Sequence, residues 1–258
     1  MAFITFMSDF GERDHYVAAV KAAILGIQPT QQIIDISHHI DRHDIGHAAY
    51  VMRKSYSLFP KGTVHLIAVD SVLPGTDKLV ALELNGHFFV GHDTGIYYLI
   101  HPENPSLSVR LESKNSSFPA KDTLAEAAVK LAKGSALAGL GPAVPLQVKV
   151  DRQLKATKRE MVGQVVHIDH FGNLITNINK KDFDAICQLH GGNPRYNVRF
   201  AHEQVSQLNK SYNEVEDADC FVLFNSDGFL EIGLRKARAA QLLAMKLDSP
   251  VMIEFNPE

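Results

Sequence analysis

Ile168-Asp169-His170-Phe171-Gly172-Asn173-Leu174-Ile175-Thr176-Asn177 is the stretch on which the reading of this chain turns. Its left flank, Val162 to Ile168, and its right flank, Leu174 to Ile178, carry the β-branched and apolar residues of strands. Gly172 and Asn173 between them can reach the positive φ that a tight reversal demands. A reversal needs neither the acid Asp169 nor the ring of Phe171. The segment is therefore either a polar hairpin turn or a turn that also presents hydrogen-bonding groups to a ligand.

Working outward from this hairpin, Tyr196–Phe200, Cys220–Asn225, Phe229–Leu234 and Val251–Phe255 read as further short strands separated by turns. Helix signals nearly vanish here, so the tail, residues 156–258, is expected to be a small β-barrel or sandwich. Upstream, Gln147–Arg159 is rich in Lys and Arg and thin in apolar residues, which places a domain boundary near residue 155. Before it the pattern alternates. Phe3–Ser8, Ile33–Ser37 and Thr63–Val69 read as strands, Asp14–Gly26 and Asp44–Phe59 as helices, with Asp14 a candidate N-cap and Pro60 a stop. Leu79–Leu84 and His87–Val90 flank Asn85-Gly86, a hairpin signal, and Asp122–Lys133 is a helix ended by Gly134. The fold class expected for residues 1–155 is thus an α/β domain with a mainly parallel sheet covered on both faces.

Composition narrows the function classes. The chain has 258 residues, 45% hydrophobic and 21% charged, with a formal charge of −3. It can bury a substantial core and shows no sustained basic patch, so no nucleic-acid groove is expected. Cys187 and Cys220 lie far apart and outside any CxxC pattern, which fits a reduced, cytoplasmic setting without disulfides. The start, Met1 to Met7, lacks a basic signal region and reaches Asp9 too soon to span a membrane. Among 13 histidines, His43 and His47 are spaced to share a helix face and form the best metal candidate, but no HxH or HxxxH pattern sits beside suitable carboxylates. No metal is expected.

Three loops could carry chemistry. Asp9 follows the first strand, where open α/β sheets bind ligands, and its carboxylate could accept from two neighbouring ribose hydroxyls or simply cap the turn. Asp70 ends another strand and could orient a water, bind an ammonium or cap its loop. In Asn225-Ser226-Asp227-Gly228, Ser226 and nearby amides could receive a carboxylate, and a plain hairpin turn reads equally well.

Taken in order, Phe6–Gly11, Ile34–His38, Val90–Gly95, Ile168–Asn177 and Asn225–Ile232 resemble the landmarks of the S-adenosyl-L-methionine (SAM) hydroxide adenosyltransferases, or adenosine-forming SAM hydrolases. These are related to the fluorinating and chlorinating enzymes. The match is collinear over nearly the whole chain, with the Asp-His-Phe-Gly-Asn element its most specific part. The resemblance implies homotrimers that hold SAM between one subunit's N-terminal domain and its neighbour's C-terminal domain. It implies that Asp9 holds the ribose hydroxyls, Asp169 the methionine ammonium, Phe171 and Asn173 the adenine, and Ser226 the methionine carboxylate. His43 falls where an aromatic ring meets the nucleoside, and Phe118 lies in a segment lining the same pocket. Water would attack ribose C5′ and expel neutral methionine, with SAM as substrate and no cofactor.

The chain departs from the family's water-handling Asp-Arg-His set. The Asp matches Asp70, but the following loop, Ser71 to Asp77, is one residue longer and brings Lys78 nearest the Arg position. Lysine keeps the charge without the planar fork. Where the His is expected the chain has Pro119, which cannot shuttle protons. His92, in the loop Gly91-His92-Asp93-Thr94-Gly95, is a candidate replacement proton acceptor. The favoured expectation is a SAM hydrolase using Asp70 and Lys78. The alternatives are a homologue that binds SAM or adenosine without turning it over, and an adenosyl transferase with another nucleophile.

Overall fold

The computed structural model describes residues 2–70, 78–101, 103, 105–114, 116–149 and 153–256. The expected loop from Ser71 to Asp77 lies outside the described residues. The chain divides into two compact units, Met1–Asp151 and Arg152–Glu258.

The first unit runs β1 (Ile4–Ser8), α1 (Tyr16–Ile27), β2 (Ile33–Ser37), α2 (Ile45–Ser55), β3 (Val64–Ala68), β4 (Leu79–Leu84), β5 (His87–His92), α3 (Ile96–Ile100), β6 (Leu107–Arg110) and α4 (Ala125–Ala132). Its sheet has the order β2-β1-β3-β5-β4-β6. The pairs β2/β1, β1/β3 and β3/β5 are parallel, while β5/β4 and β4/β6 are antiparallel. The sheet is therefore mixed, with three of its five pairings parallel and only β4 running against the other strands. Asn85 and Gly86, at φ 50° and 74°, close β4 onto β5 in a two-residue turn, and that local reversal forbids a crossover helix.

Both faces are covered, and the strand period of two sorts the side chains. Ile4, Phe6, Leu66, Ala81 and Val90 pack with Val20 and Ile24 of α1 and with the alanine-rich face of α4. Met7, Ile67, Val80, Leu82 and Phe89 pack on the other face with Ala48 and Met52 of α2 and with Ile96 and Ile100 of α3. Two helix starts differ from the pattern. α1 begins after His15, which caps nothing with its side chain, rather than at Asp14. α2 begins after Asp44, whose carboxylate accepts from the His47 N–H, and the helix ends at Ser55 in a short 3-10 turn, Tyr56–Leu58. His43 thus precedes the helix and shares no face with His47, whose Nδ1 lies 3.4 Å from Asp41.

The second unit runs β7 (Lys155–Ala156), β8 (Glu160–Ile168), β9 (Leu174–Asn179), α5 (Lys180–Leu189), β10 (Tyr196–Phe200), β11 (Glu203–Val205), β12 (Cys220–Phe224), β13 (Phe229–Leu234), α6 (Ala239–Leu242) and β14 (Pro250–Phe255). The strands form an antiparallel, barrel-like sheet in the order β11-β10-β14-β8-β9-β13-β12, with β7 beside β8. β8 pairs with β14 along its first half and with β9 along its second, across a register shift, which curls the sheet. The segment after β11 meets the outer strand β12 where the Asn209 N–H donates to the Val222 carbonyl at 2.7 Å and Asn209 Oδ1 accepts from the Val222 N–H at 3.0 Å. Closure of this kind hides strand edges. The expectation that helices nearly vanish here is corrected by α5. Asn179 caps it by accepting from the Asp182 N–H, and Phe183, Ile186 and Cys187 bury one face in the barrel core. The segment is short and charged, so its three buried residues give only a weak periodic signal.

Candidate functional site

The chain moves from β1 to β2 on one side of the sheet and returns to β3 on the other, so the strand order reverses between the carboxyl ends of β1 and β3. Open α/β sheets bind ligands at such a reversal. Asp9 and Asp70 stand there. One oxygen of Asp9, Oδ2, accepts the backbone N–H of His43 at 3.0 Å and that of Asp70 at 3.2 Å. Both donors have left-handed backbones, at φ 60° for His43 and 52° for Asp70. Non-glycine residues rarely adopt this region, and clusters of such residues mark functional sites. The His43 Nδ1 donates to Asp70 Oδ1 at 3.0 Å, since a carboxylate can only accept. Asp9, His43 and Asp70 are thus brought into one hydrogen-bonded set.

Beneath it, Ser8 Oγ pairs with His38 Nδ1 at 2.8 Å, and His38 Nε2 lies 3.1 Å from Asp35, which pairs with Lys21. The Ser-His-Asp order suggests a nucleophile, but Ser8 is wholly buried, so this relay pins β2 to β1 under Asp9. Beside Asp9 stands an aromatic wall. Phe118 lies 5.7 Å from Phe10 and 5.6 Å from Tyr16, ring centre to ring centre, in edge-on contacts. Lys78 precedes β4 at the same sheet edge, where its carbonyl accepts the Asp93 N–H at 2.9 Å. Burial pushes the Asp93 carboxyl up, and the Gln147 and Gly95 amides and the Lys78 charge oppose that. His92 is buried at 5% exposure at the end of β5.

In the second unit a cavity of about 800 Å³ opens beside the β8–β9 turn, lined by Asp169, Phe171, Asn173, Tyr212 and Glu231 among others. The turn is held from within. Asp169 Oδ1 accepts the Asn173 N–H at 2.8 Å, and Asp169 Oδ2 accepts from Asn173 Nδ2 at 3.1 Å. Gly172, at φ 88°, lets the chain reverse, and a Cβ there would lie 2.9 Å from the Arg238 Cβ. Phe171 projects at the tip, 73% exposed. Asn173 Nδ2 also donates to Glu231 Oε1 at 3.1 Å. With both amide hydrogens on carboxylates, the Oδ1 atom is the group left to accept from a ligand. Burial pushes the Glu231 carboxyl up, reinforced by the Asp169 charge and opposed by hydrogen bonds from Asn225, Tyr212 and Asn173.

Ser226 is exposed on the turn after β12 and is not among the residues lining the cavity. Its neighbour Asn225 reaches Glu231 Oε2 at 3.1 Å, which ties that turn to the Asn173 network. Glu231, Tyr212, Phe10 and Tyr16 were not singled out from the sequence. A lone carboxylate inside the apolar strand Phe229–Leu234 was a signal for Glu231, because buried charge needs partners. Tyr212 sits in a stretch without periodicity and gave none.

The residues match a known family in both units. The model of the SAM hydroxide adenosyltransferase N-terminal domain matches residues 4–141, and that of the C-terminal domain matches residues 163–252. A (R)-S-adenosyl-L-methionine hydrolase of Thermus thermophilus is 28% identical, over 97% of this chain and 98% of its own. A protein of the same name from Methanocaldococcus jannaschii is 30% identical over 93% of this chain and 91% of its own. The crystal structure of an uncharacterized conserved protein from Thermotoga maritima superposes with a TM-score of 0.86 at 28% identity, covering 97% of this chain and 99% of that one.

Proposed function

The chain belongs to the SAM hydroxide adenosyltransferase family, and we propose that it hydrolyses S-adenosyl-L-methionine to adenosine and L-methionine. The observation that carries this reading is the set Asp9, His43 and Asp70 at the point where the strand order reverses. Two carboxylates suit a sulfonium substrate that bears a ribose diol, because they accept from hydroxyls and stabilise positive charge.

In this reading Asp9 turns the oxygen not engaged by backbone toward the ribose hydroxyls. Phe118, with Phe10 and Tyr16, walls the nucleoside. Asp169 meets the methionine ammonium, Phe171 stacks on the adenine, Asn173 offers Oδ1 to the adenine amino group, and Ser226 receives the methionine carboxylate. Asp70 orients the water, and Lys78 adds positive charge at the same edge. Attack on C5′ in line with sulfur needs chiefly positioning, since methionine leaves as a neutral thioether. The site is completed between copies in a homotrimer, one contributing the Asp9 set and its neighbour the Asn173 cavity. Phe171, 73% exposed at the tip of its turn, is the ring that such a neighbour would cover. No cofactor or metal takes part, and the free thiols of Cys187 and Cys220 suit the cytoplasm. Among the described residues no helix is long and apolar enough to cross a membrane.

The experiment is incubation with SAM followed by chromatography. Adenosine and methionine in equal amounts, lost with Asp70→Ala, support the proposal. Saturable SAM binding without product would return the chain to a binding role, and no interaction with SAM or adenosine would remove both.

A further inference from the structure

Any water that attacks carbon must shed a proton, and one imidazole in the Asp9 set is arranged to take it. His43 Nδ1 lies 3.0 Å from Asp70 Oδ1, and in the neutral ring an Nδ1–H donated there places the lone pair on Nε2. Among the described residues Nε2 has no hydrogen-bond partner. Two-thirds of the side chain, 66%, is open to solvent, while Asp70 beneath it is only 20% exposed. The ring is therefore reachable, and the carboxylate that holds it is shielded. An imidazole oriented by a carboxylate through one nitrogen and open at the other is the geometry of a general base.

The backbone supports the same assignment. A left-handed φ of 60° at position 43 is unusual for a residue with a side chain. Here it lets the His43 N–H reach Asp9 while the ring reaches Asp70. The group that would grip the ribose and the group that would take the proton are fixed to each other through one residue.

Resting on the hydrolase reading above, we infer that His43 is the proton acceptor of the reaction and that Asp70 is its positioning residue. A water lone pair forms the O–C5′ bond as the C5′–S bond breaks and its electron pair returns to sulfur, giving neutral methionine. The water proton passes to His43 Nε2. The imidazolium, stabilised by Asp70, releases it to solvent as adenosine leaves. A flat ring stacked on the nucleoside is the competing role for position 43. It predicts weaker binding on substitution and no change in the chemical step.

The test uses two variants that tolerate φ 60°. His43→Asn keeps a donor for Asp70 but lacks a base. His43→Gly leaves a space that free imidazole can enter. The expected result is a fall in kcat of about 10²-fold or more for His43→Asn, with KM within about threefold. Added imidazole should raise the rate of His43→Gly and not that of His43→Asn. Circular dichroism and melting of each variant guard against misfolding. A kcat for His43→Asn within twofold of wild type overturns the proposal, as does a rise in KM alone. Wild-type protein that releases no adenosine from SAM removes the hydrolase reading and this assignment together, whereas wild-type turnover matched by His43→Asn overturns this assignment alone.

Discussion

At the scale of single residues, the turn Asp169–Asn173 shows how a few side chains serve structure and recognition at once. Its acid and amide satisfy each other, which on its own would make a plain hairpin. Glu231 changes that outcome by taking the second amide hydrogen of Asn173. Glu231→Gln can offer a donor where the acceptor stood, so the Asn173 amide loses its fixed orientation. We expect the preference for adenosine over inosine to drop about tenfold or more in a calorimetric titration, since an unpaired polar contact costs roughly 1–3 kcal/mol. Equal preference in wild type and variant would remove the amide from recognition. Gly172→Ala places a Cβ at φ 88° and 2.9 Å from Arg238, and we expect a loss of about 1–3 kcal/mol in urea unfolding. Of these residues, Asp169 and Asn173 stood out from spacing and resemblance. Glu231 did not, because its role depends on the neighbouring strand β13, 58 positions along the chain.

At the scale of elements, β1, β3 and β5 carry a buried histidine pair that ties sheet stability to pH. His65 Nε2 lies 3.2 Å from His87 Nδ1, and Thr5 Oγ1 pairs with His65 Nδ1 at 2.7 Å. Burial, helped by the neighbouring His87, holds the His65 pKa down at about 3. The unfolded imidazole titrates near 6.5, so between those values the unfolded chain binds the extra proton. The contribution is present above pH 6.5 and is lost as pH falls toward 3. By pH 5 the loss amounts to about 2 kcal/mol. Melting curves at pH 7.5 and pH 5 should therefore converge more closely for His65→Phe than for wild type. An unchanged gap would show that His65 is not the group responsible. In α5, Asn179→Ala removes the cap bond to Asp182 and should cost about 1 kcal/mol of stability by urea unfolding. Phe183→Ala should cost about 3–5 kcal/mol, because the ring packs between Tyr196, Phe224 and Phe255. A loss below 1 kcal/mol at Phe183 would mean that α5 is peripheral to the barrel.

At the scale of the whole molecule, the proposal that the site is completed between copies can be tested by mixing. Asp70→Ala alters the first unit and Asn173→Ala the second. Each alone should lose most turnover, and refolding the two together should restore part of it, because some mixed oligomers carry one intact pair of half-sites. Light scattering would report the assembly expected for a trimer. Mixed oligomers seen by native mass spectrometry without recovered turnover would place both halves of the site in one copy.

The short α3 and β6 were not legible in the sequence. The run from β1 to β5, the helix α4, the Asn85-Gly86 reversal and the β-rich tail were legible, because each rests on local periodicity or on a turn's φ requirement. So was family membership, carried by short motifs in fixed order. Three things were decided only by tertiary structure. The antiparallel pairing of β4 and β6 depends on which edge a hairpin joins. The helix α5 depends on a barrel core that Phe183, Ile186 and Cys187 can enter. The turn of His43 toward Asp70 depends on a left-handed backbone held by Asp9, 34 positions away. Local patterns record what a segment prefers. Hydrogen bonds across the sheet edge set which of several permitted directions a side chain takes, and no short window of sequence contains both partners.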